Sequence, residues 1–236
     1  MPSMERPATG ILIVIDGIDG AGKTTQARML ADFLTEAGDP PVCSKEPTDG
    51  PWGQKIRSSA LHGRMPPAEE LQAFIEDRKE HMQKVILPAL AADKSVILDR
   101  YYYSTIAYQG PRFPDAGLLA QTVAADAVEP DAVVLLDVAP EVGITRIRQF
   151  RGEIPNTFEG IDDLRQVRAA FHRLAETHGL TIIDGTPPMD VVHQAILAHL
   201  FATVAQSKGH ANSSAEDSSI ANTRRWAMIR QQLASR

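Results

Sequence analysis

The chain has 236 residues, 43% of them hydrophobic, and a formal net charge of -6. That length and apolar share suffice for one substantial core, and the acidic balance excludes a typical nucleic-acid binder, which would carry a basic excess. A single cysteine, Cys43, excludes an internal disulfide and a cysteine-based zinc cluster and fits a reducing compartment. No apolar run approaches the ~18 residues of a spanning helix and Met1–Arg6 lacks a signal-type apolar stretch, so a soluble cytoplasmic protein without membrane contact is expected.

Residues 1–9 read as a flexible leader. Ile11-Leu12-Ile13-Val14-Ile15 is a run of branched apolar residues without polar alternation, the pattern of a strand buried on both faces. It runs into Asp16-Gly17-Ile18-Asp19-Gly20-Ala21-Gly22-Lys23-Thr24-Thr25, where Gly17, Gly22, Lys23 and Thr24 satisfy G-x-x-x-x-G-K-[ST]. Apolar residues at 27, 30, 31 and 34 then recur at helical spacing, predicting a helix over about 23–37. Strand, glycine loop and helix in this order make a phosphate cradle. Glycines let backbone N–H groups turn inward, and the helix start adds unpaired N–H groups and the positive end of its dipole. The expected nucleoside triphosphate contacts are Gly17, Ile18, Asp19, Gly20, Ala21, Gly22, Lys23, Thr24 and Thr25, with Lys23 reaching the β- and γ-phosphates and the Thr24 hydroxyl available to Mg²⁺.

Gly38-Asp39-Pro40-Pro41 stops the helix, and Pro41–Lys45 reads as a weak second strand in which Cys43 packs. The turn-rich Glu46–Pro51 follows where a parallel strand would place a ligand loop. From about Ala68 to Ala92, Leu71, Phe74, Ile75, Arg78, Met82, Val85 and Ile86 recur at helical spacing, with a kink or break expected at Pro88. Strands are predicted at 95–99, 133–138 and 181–184, and helices at 115–128, 141–150, 161–178 and 189–205. Alternation of this kind predicts an α/β fold with a mostly parallel five-stranded sheet covered on both faces. One domain should span 10–205, and the polar stretch from 206 should form a separate tail to 236, with a short basic helix near 224–233.

Four places outside the glycine loop carry chemistry. Asp99 ends a buried strand expected beside the first, and can hold Mg²⁺; Asp137 is its rival, and Asp99 is preferred because Arg100 follows it. A guanidinium at that strand end can grip a phosphoryl oxygen bidentately. In the next segment, if helical, Tyr101, Ser104, Thr105 and Tyr108 share a face suited to a nucleoside or to the core. Phe74 and Arg78 share a side of the earlier helix and could take a base and its 5′-phosphate. Arg146, Arg148 and Arg151 precede the turn-rich Gly152–Asn156, a pattern shared by a mobile lid over about 146–160 and by a solvated basic helix end.

Together these motifs resemble the thymidylate kinases among the P-loop nucleoside monophosphate kinases, over about residues 11–205. IDGIDGAGKTTQ is similar to the family's phosphate loop, KEPTDG to its Arg-Glu-Pro segment and LQAFIEDRKEH to its substrate helix. DRYYYSTIAYQG, and RIRQFRGE with Phe158-Glu159, match its acceptor and lid segments. The resemblance implies a three-layer P-loop NTPase fold and a homodimer that phosphorylates dTMP to dTDP with ATP and Mg²⁺. It implies catalytic roles for Lys23, Arg100, Arg151 and Asp19, and metal contacts from Thr24 and Asp99. Phe74 would stack on thymine, Arg78 would meet its edge or the phosphate side, and Arg100 would hold the acceptor phosphate. Ser104, Thr105 and Gln109 would line the base pocket, with Tyr108 under the deoxyribose. The loop lacks a basic residue between Gly17 and Gly22, resembling the branch whose catalytic arginine comes from the lid. Asp16 where Glu is usual, Lys45 for Arg and Phe171 for Tyr depart from the pattern. A kinase for another monophosphate or nucleoside, and a non-catalytic nucleotide-binding module, are the alternative readings.

Overall fold

The computed structural model describes residues 10–151, 158 and 160–206, apart from the side chains of 150, 151 and 204–206. The predicted leader, most of the loop expected as a lid and the tail with its basic helix lie outside the described residues.

Five parallel strands form one sheet in the order β2 (Val42–Lys45), β3 (Val96–Asp99), β1 (Leu12–Gly17), β4 (Ala132–Asp137), β5 (Thr181–Asp184). Successive side chains of a strand point to opposite faces, and all six residues of β1 are buried, so helices cover both faces, as the unbroken apolar runs predict. The fold is the expected α/β one. Helix α1 (Lys23–Glu36) packs against the sheet and α9 (Met189–Gln206), while α5 (Tyr102–Gln109) packs on β1 and on α8 (Ile161–His178). Helices α6 (Ala116–Ala124) and α7 (Pro140–Arg151) complete the crossovers. The order of strand addition reverses at β1, with β2 and β3 on one side and β4 and β5 on the other, and its register sets Ile15 beside Asp99 and Asp16 beside Leu135. In a doubly wound sheet, ligands bind outside the carboxyl ends of strands at such a reversal.

The structure corrects three expectations. A helix α2 (Pro51–His62) fills the segment the sequence left without an element, and packs on α3 (Pro67–His81). Of its buried residues Gly53, Ile56, Ser59 and Ala60, Ile56 alone is large and apolar, too little for a hydrophobic stripe. The long helix to Ala92 is interrupted by a wide π-helical turn (Met82–Ile86) before α4 (Leu87–Ala91). Leu87 N–H bonds to the Met82 carbonyl, absorbing the ladder bond that Pro88 cannot make. Cys43 is exposed rather than packed, because β2 is an edge strand.

Asp137 is engaged by α8. Arg168 on α8 holds both of its carboxylate oxygens, at 2.7 Å each, and His172 lies 3.2 Å away. Burial raises the Asp137 pKa, but the hydrogen bonds from Arg168 and His172 outweigh it and hold the carboxyl below its ordinary value of 3.8. A depressed folded pKa stabilises the fold above the unfolded pKa and ceases to do so as pH falls through the folded one. Arg168→Leu should therefore cost ~1 kcal/mol at pH 7, the pair being partly exposed, with the difference from wild type shrinking below about pH 4. Urea unfolding at both pH values checks this; an equal loss at both would remove Asp137 from the account.

Candidate active site

The site is assembled at the end of β1. Asp16 is fully buried and accepts bonds from Gly17 N–H (2.9 Å), Ser104 N–H (3.0 Å) and Ser104 Oγ (2.6 Å). A carboxylate without water needs such donors. Burial raises its pKa, with Arg100, Ser104 and the Gly17 N–H acting in the opposite direction. The pairing ties the end of β1 to the first turn of α5.

The glycines of the loop have two different reasons. A Cβ on Gly20 would sit 2.2 Å from the Gly143 carbonyl oxygen, so the loop packs directly on α7. Gly22, at φ +100°, caps α1 in a left-handed conformation, and a Cβ there would meet nothing within 4 Å, so the space above the helix start is open. Lys23 folds back to donate to the Ile18 carbonyl at 2.8 Å. Burial, followed by the nearby Arg100 charge, pushes its pKa down to about 8 against the pull of Asp19, Asp99 and Asp16. Thr24 Oγ1 donates to the Asp99 carboxylate, so the two predicted metal contacts meet at one point.

Arg100 has φ +72°, a conformation uncommon for any residue with a Cβ. Its N–H bonds back to the Ile15 carbonyl at 3.0 Å, and its guanidinium donates to the Gly17 carbonyl (3.1 Å), Ser104 Oγ (2.9 Å) and Asp19 Oδ1 (2.6 Å). Tyr108 donates to Asp19 Oδ2 at 2.7 Å and stands 3.4 Å from the same guanidinium. Burial works against the Arg100 charge, but Asp19, Tyr108, Asp16 and Asp99 more than offset it, raising its pKa.

Beyond this fork opens a cavity of about 310 Å³ lined by Asp19, Phe74, Asp99, Arg100, Tyr101, Ser104, Thr105 and Tyr108. Glu46, from the turn-rich segment expected as a ligand loop, also lines it, as do Ile56 and Arg57, which no sequence pattern nominated as site residues. Ile56 and Arg57 lie on α2, so missing that helix meant missing them. Tyr101 reaches the cavity from extended backbone ahead of α5 rather than from its helical face. Arg78 and Gln109 do not line the cavity. Arg78 lies behind the wall, donating to Glu46 Oε2 (2.8 and 3.0 Å) and Thr105 Oγ1 (2.8 Å), while His81 joins Glu46 (3.1 Å) to Ser44 (2.8 Å). Arg78 Nη1 and both amide atoms of Gln109 are buried without a hydrogen-bond partner among the described residues. Of the three arginines on α7, Arg146 donates to the Gly185 carbonyl at 2.9 Å beside the phosphate loop, and Arg148 is exposed; Arg151 ends the helix, and its side chain is outside the described residues.

The arrangement sets the Arg100 guanidinium, the Phe74 ring and the polar groups of Ser104 and Thr105 around one cavity, with the phosphate loop beside Arg100. It suits a phosphorylated, ring-bearing molecule beside a triphosphate loop. The thymidylate kinase family model matches residues 15–196. The chain belongs to the thymidylate kinase family. It is 46% identical to a thymidylate kinase of Xanthomonas campestris pv. campestris over 205 residues, covering 84% of this chain and 88% of that protein. It is 44% identical to one of Xylella fastidiosa over 189 residues, covering 80% and 85%. The crystal structure of the thymidylate kinase from Ehrlichia chaffeensis superposes with a TM-score of 0.65 at 28% identity, over 81% of this chain and 99% of that one. Membership carries a P-loop fold and ATP-dependent phosphorylation of dTMP, the reaction of a nucleoside monophosphate kinase.

Within a thymidylate kinase, Ser104 is expected to matter to stability as well as to the site. Ser104→Ala removes one of three donors from a buried carboxylate and should cost about 1–3 kcal/mol, read as a lower denaturant midpoint. An unchanged midpoint would show that Asp16 does not depend on this hydroxyl.

Proposed function

We propose that the described residues divide the conversion of ATP and dTMP to ADP and dTDP as follows. Residues 17–25 hold the ATP phosphates, with Lys23 leaving the Ile18 carbonyl to meet the β- and γ-phosphates. Arg100 holds the acceptor 5′-phosphate, Asp19 receives the sugar 3′-hydroxyl, and the Tyr108 ring lies under the deoxyribose. Phe74 stacks on thymine, and Ser104 and Thr105, which line the cavity, supply its edge contacts, with Arg78 holding Thr105 from behind. The observation that carries this reading is the Arg100 fork: a planar guanidinium, held by Asp19 and Ser104, lines a cavity of nucleotide size.

Thr24 and Asp99 offer two hard oxygen donors side by side, a set that fits Mg²⁺ completed by phosphate oxygens and water. When bound there, Mg²⁺ neutralises charge on the β- and γ-phosphates. The acceptor phosphate is itself the nucleophile, so catalysis is in-line positioning and charge neutralisation, with no side chain assigned as general base. Arg151 is assigned to the transferring phosphoryl group, because the loop has no cation besides Lys23 between Gly17 and Thr24. A cytoplasmic homodimer belongs to the same proposal and rests on family resemblance; among the described residues no helix is long and apolar enough to cross a membrane.

A coupled assay with dTMP, dUMP, dCMP, dAMP and AMP side by side tests the acceptor assignment. dTMP should give the highest kcat/KM, and a better rate with AMP would overturn it. Tyr108→Ala should narrow the preference for deoxy over ribo acceptors by about 1–3 kcal/mol; equal use of both by the wild type would remove that role. Lys23→Ala should leave a folded protein with turnover lowered by about 10³ or more. Arg151→Ala should lower kcat and kcat/KM together by roughly 10²–10⁴ with little change in nucleotide affinity. Weakened binding at unchanged kcat would instead make Arg151 a ground-state ligand and move the transition-state role to Arg146 or Arg148.

A further inference from the structure

Glu70, near the start of α3, has a fully buried carboxylate shared by two guanidinium groups. Arg64, from the connection between α2 and α3, donates to both of its oxygens, and Arg112, just after α5, donates to one and also to the Met65 carbonyl at 2.8 Å. The two arginine side chains are only 22% and 21% exposed. One carboxylate therefore faces two cations, and a surplus positive charge is left largely out of water, where it needs a further partner. Arg64 has one: its guanidinium carbon lies 4.3 Å from the centroid of the Phe158 ring. An aromatic face attracts such a cation. Phe158 in turn lines the same cavity as Phe74.

We propose that Arg64 is a positioning residue for the acceptor: it holds the Phe158 ring as a wall of the acceptor cavity, and is itself held by Glu70. The inference rests on the acceptor reading of that cavity. Charge balance separates this role from a purely structural one. With Arg64 removed, Arg112 still neutralises Glu70 one for one, so no buried charge is left unpaired. What is lost is the cation's contact with the ring. Arg64 touches neither phosphate loop nor Arg100, so its effect should fall on recognition of the nucleoside part of dTMP and leave ATP alone.

Steady-state kinetics with Arg64→Gln, Phe158→Ala and the double variant test this. Gln keeps a polar, planar group beside Glu70 but removes the charge. Each single variant should raise KM for dTMP about fivefold, with kcat and KM for ATP within twofold of wild type and the unfolding midpoint unchanged. Because the two side chains act as a unit, the double variant should be no worse than the worse single one. Arg64→Lys should recover part of the loss, since an ammonium also sits favourably on a ring. An unchanged KM in Arg64→Gln, or effects that multiply in the double variant, would overturn the proposal. Phe74→Ala serves as the control for the cavity itself. If it raises KM while Arg64→Gln does not, only the role of Arg64 falls; if neither Phe74→Ala nor Phe158→Ala moves KM, the acceptor reading fails and takes this inference with it.

Discussion

A buried carboxylate at the end of the central strand, Asp16, has to find donors where water cannot reach. It finds one in the next residue, Gly17, and two in Ser104, and the Ser104 pair draws the first turn of α5 against the end of β1. The Ser104 hydroxyl has a single proton, and it points to Asp16; its lone pairs are thereby left to accept from Arg100. One electrostatic requirement in the core thus fixes the serine, the serine helps fix the arginine, and the arginine faces the cavity. The phosphate loop leaves β1 from the next residue onward, so donor and acceptor ends of the site share a common anchor.

The free site is charged and internally paired. Arg100 holds Asp19 and two oxygens of the loop and α5, and Lys23 holds the Ile18 carbonyl. These contacts occupy the same donors that a phosphate would use, so they hold the two cations at the site, and a bound phosphate must exchange for these partners. The cost appears as backbone strain at Arg100 and as a lysine whose pKa is depressed to about 8 by burial. Two unlike carboxylates share the strand ends: Asp99 faces Thr24, whereas Asp137 is spent on Arg168 and His172 of α8. Their neighbours, rather than their strand positions, separate a metal-site candidate from a structural clamp.

How much of this was legible follows from the kind of signal each feature leaves. The five strands and the phosphate loop depend on local patterns, and the apolar runs located them to within a residue or two. Asp99, Arg100, Ser104, Thr105 and Tyr108 lie in one stretch, so one motif carried them all to the cavity. Helix α2 buries Gly53, Ser59 and Ala60, which leave no apolar periodicity, and its Arg57 went unseen with it. The Glu46–Arg78–His81 network joins the turn after β2 to α3, and the Glu70 cluster joins α3 to residues on either side; only the tertiary fold brings such partners together. Gln109 shows the reverse error: a motif position expected at the cavity wall is fully buried behind it, because α5 turns that face inward.

The central claim is that Arg100 is set in advance to receive the acceptor phosphate. Calorimetric titration of dTMP and of thymidine into the wild type and Arg100→Ala tests it most directly, because the two ligands differ only by that phosphate. A charge-assisted bidentate contact in a partly buried site should make dTMP bind the wild type about 10²-fold more tightly than thymidine. Arg100→Ala should lose most of that difference while binding thymidine nearly as before. If the variant still prefers dTMP by the wild-type factor, the phosphate is held elsewhere and the frame built on Asp16 and Ser104 does not serve the acceptor.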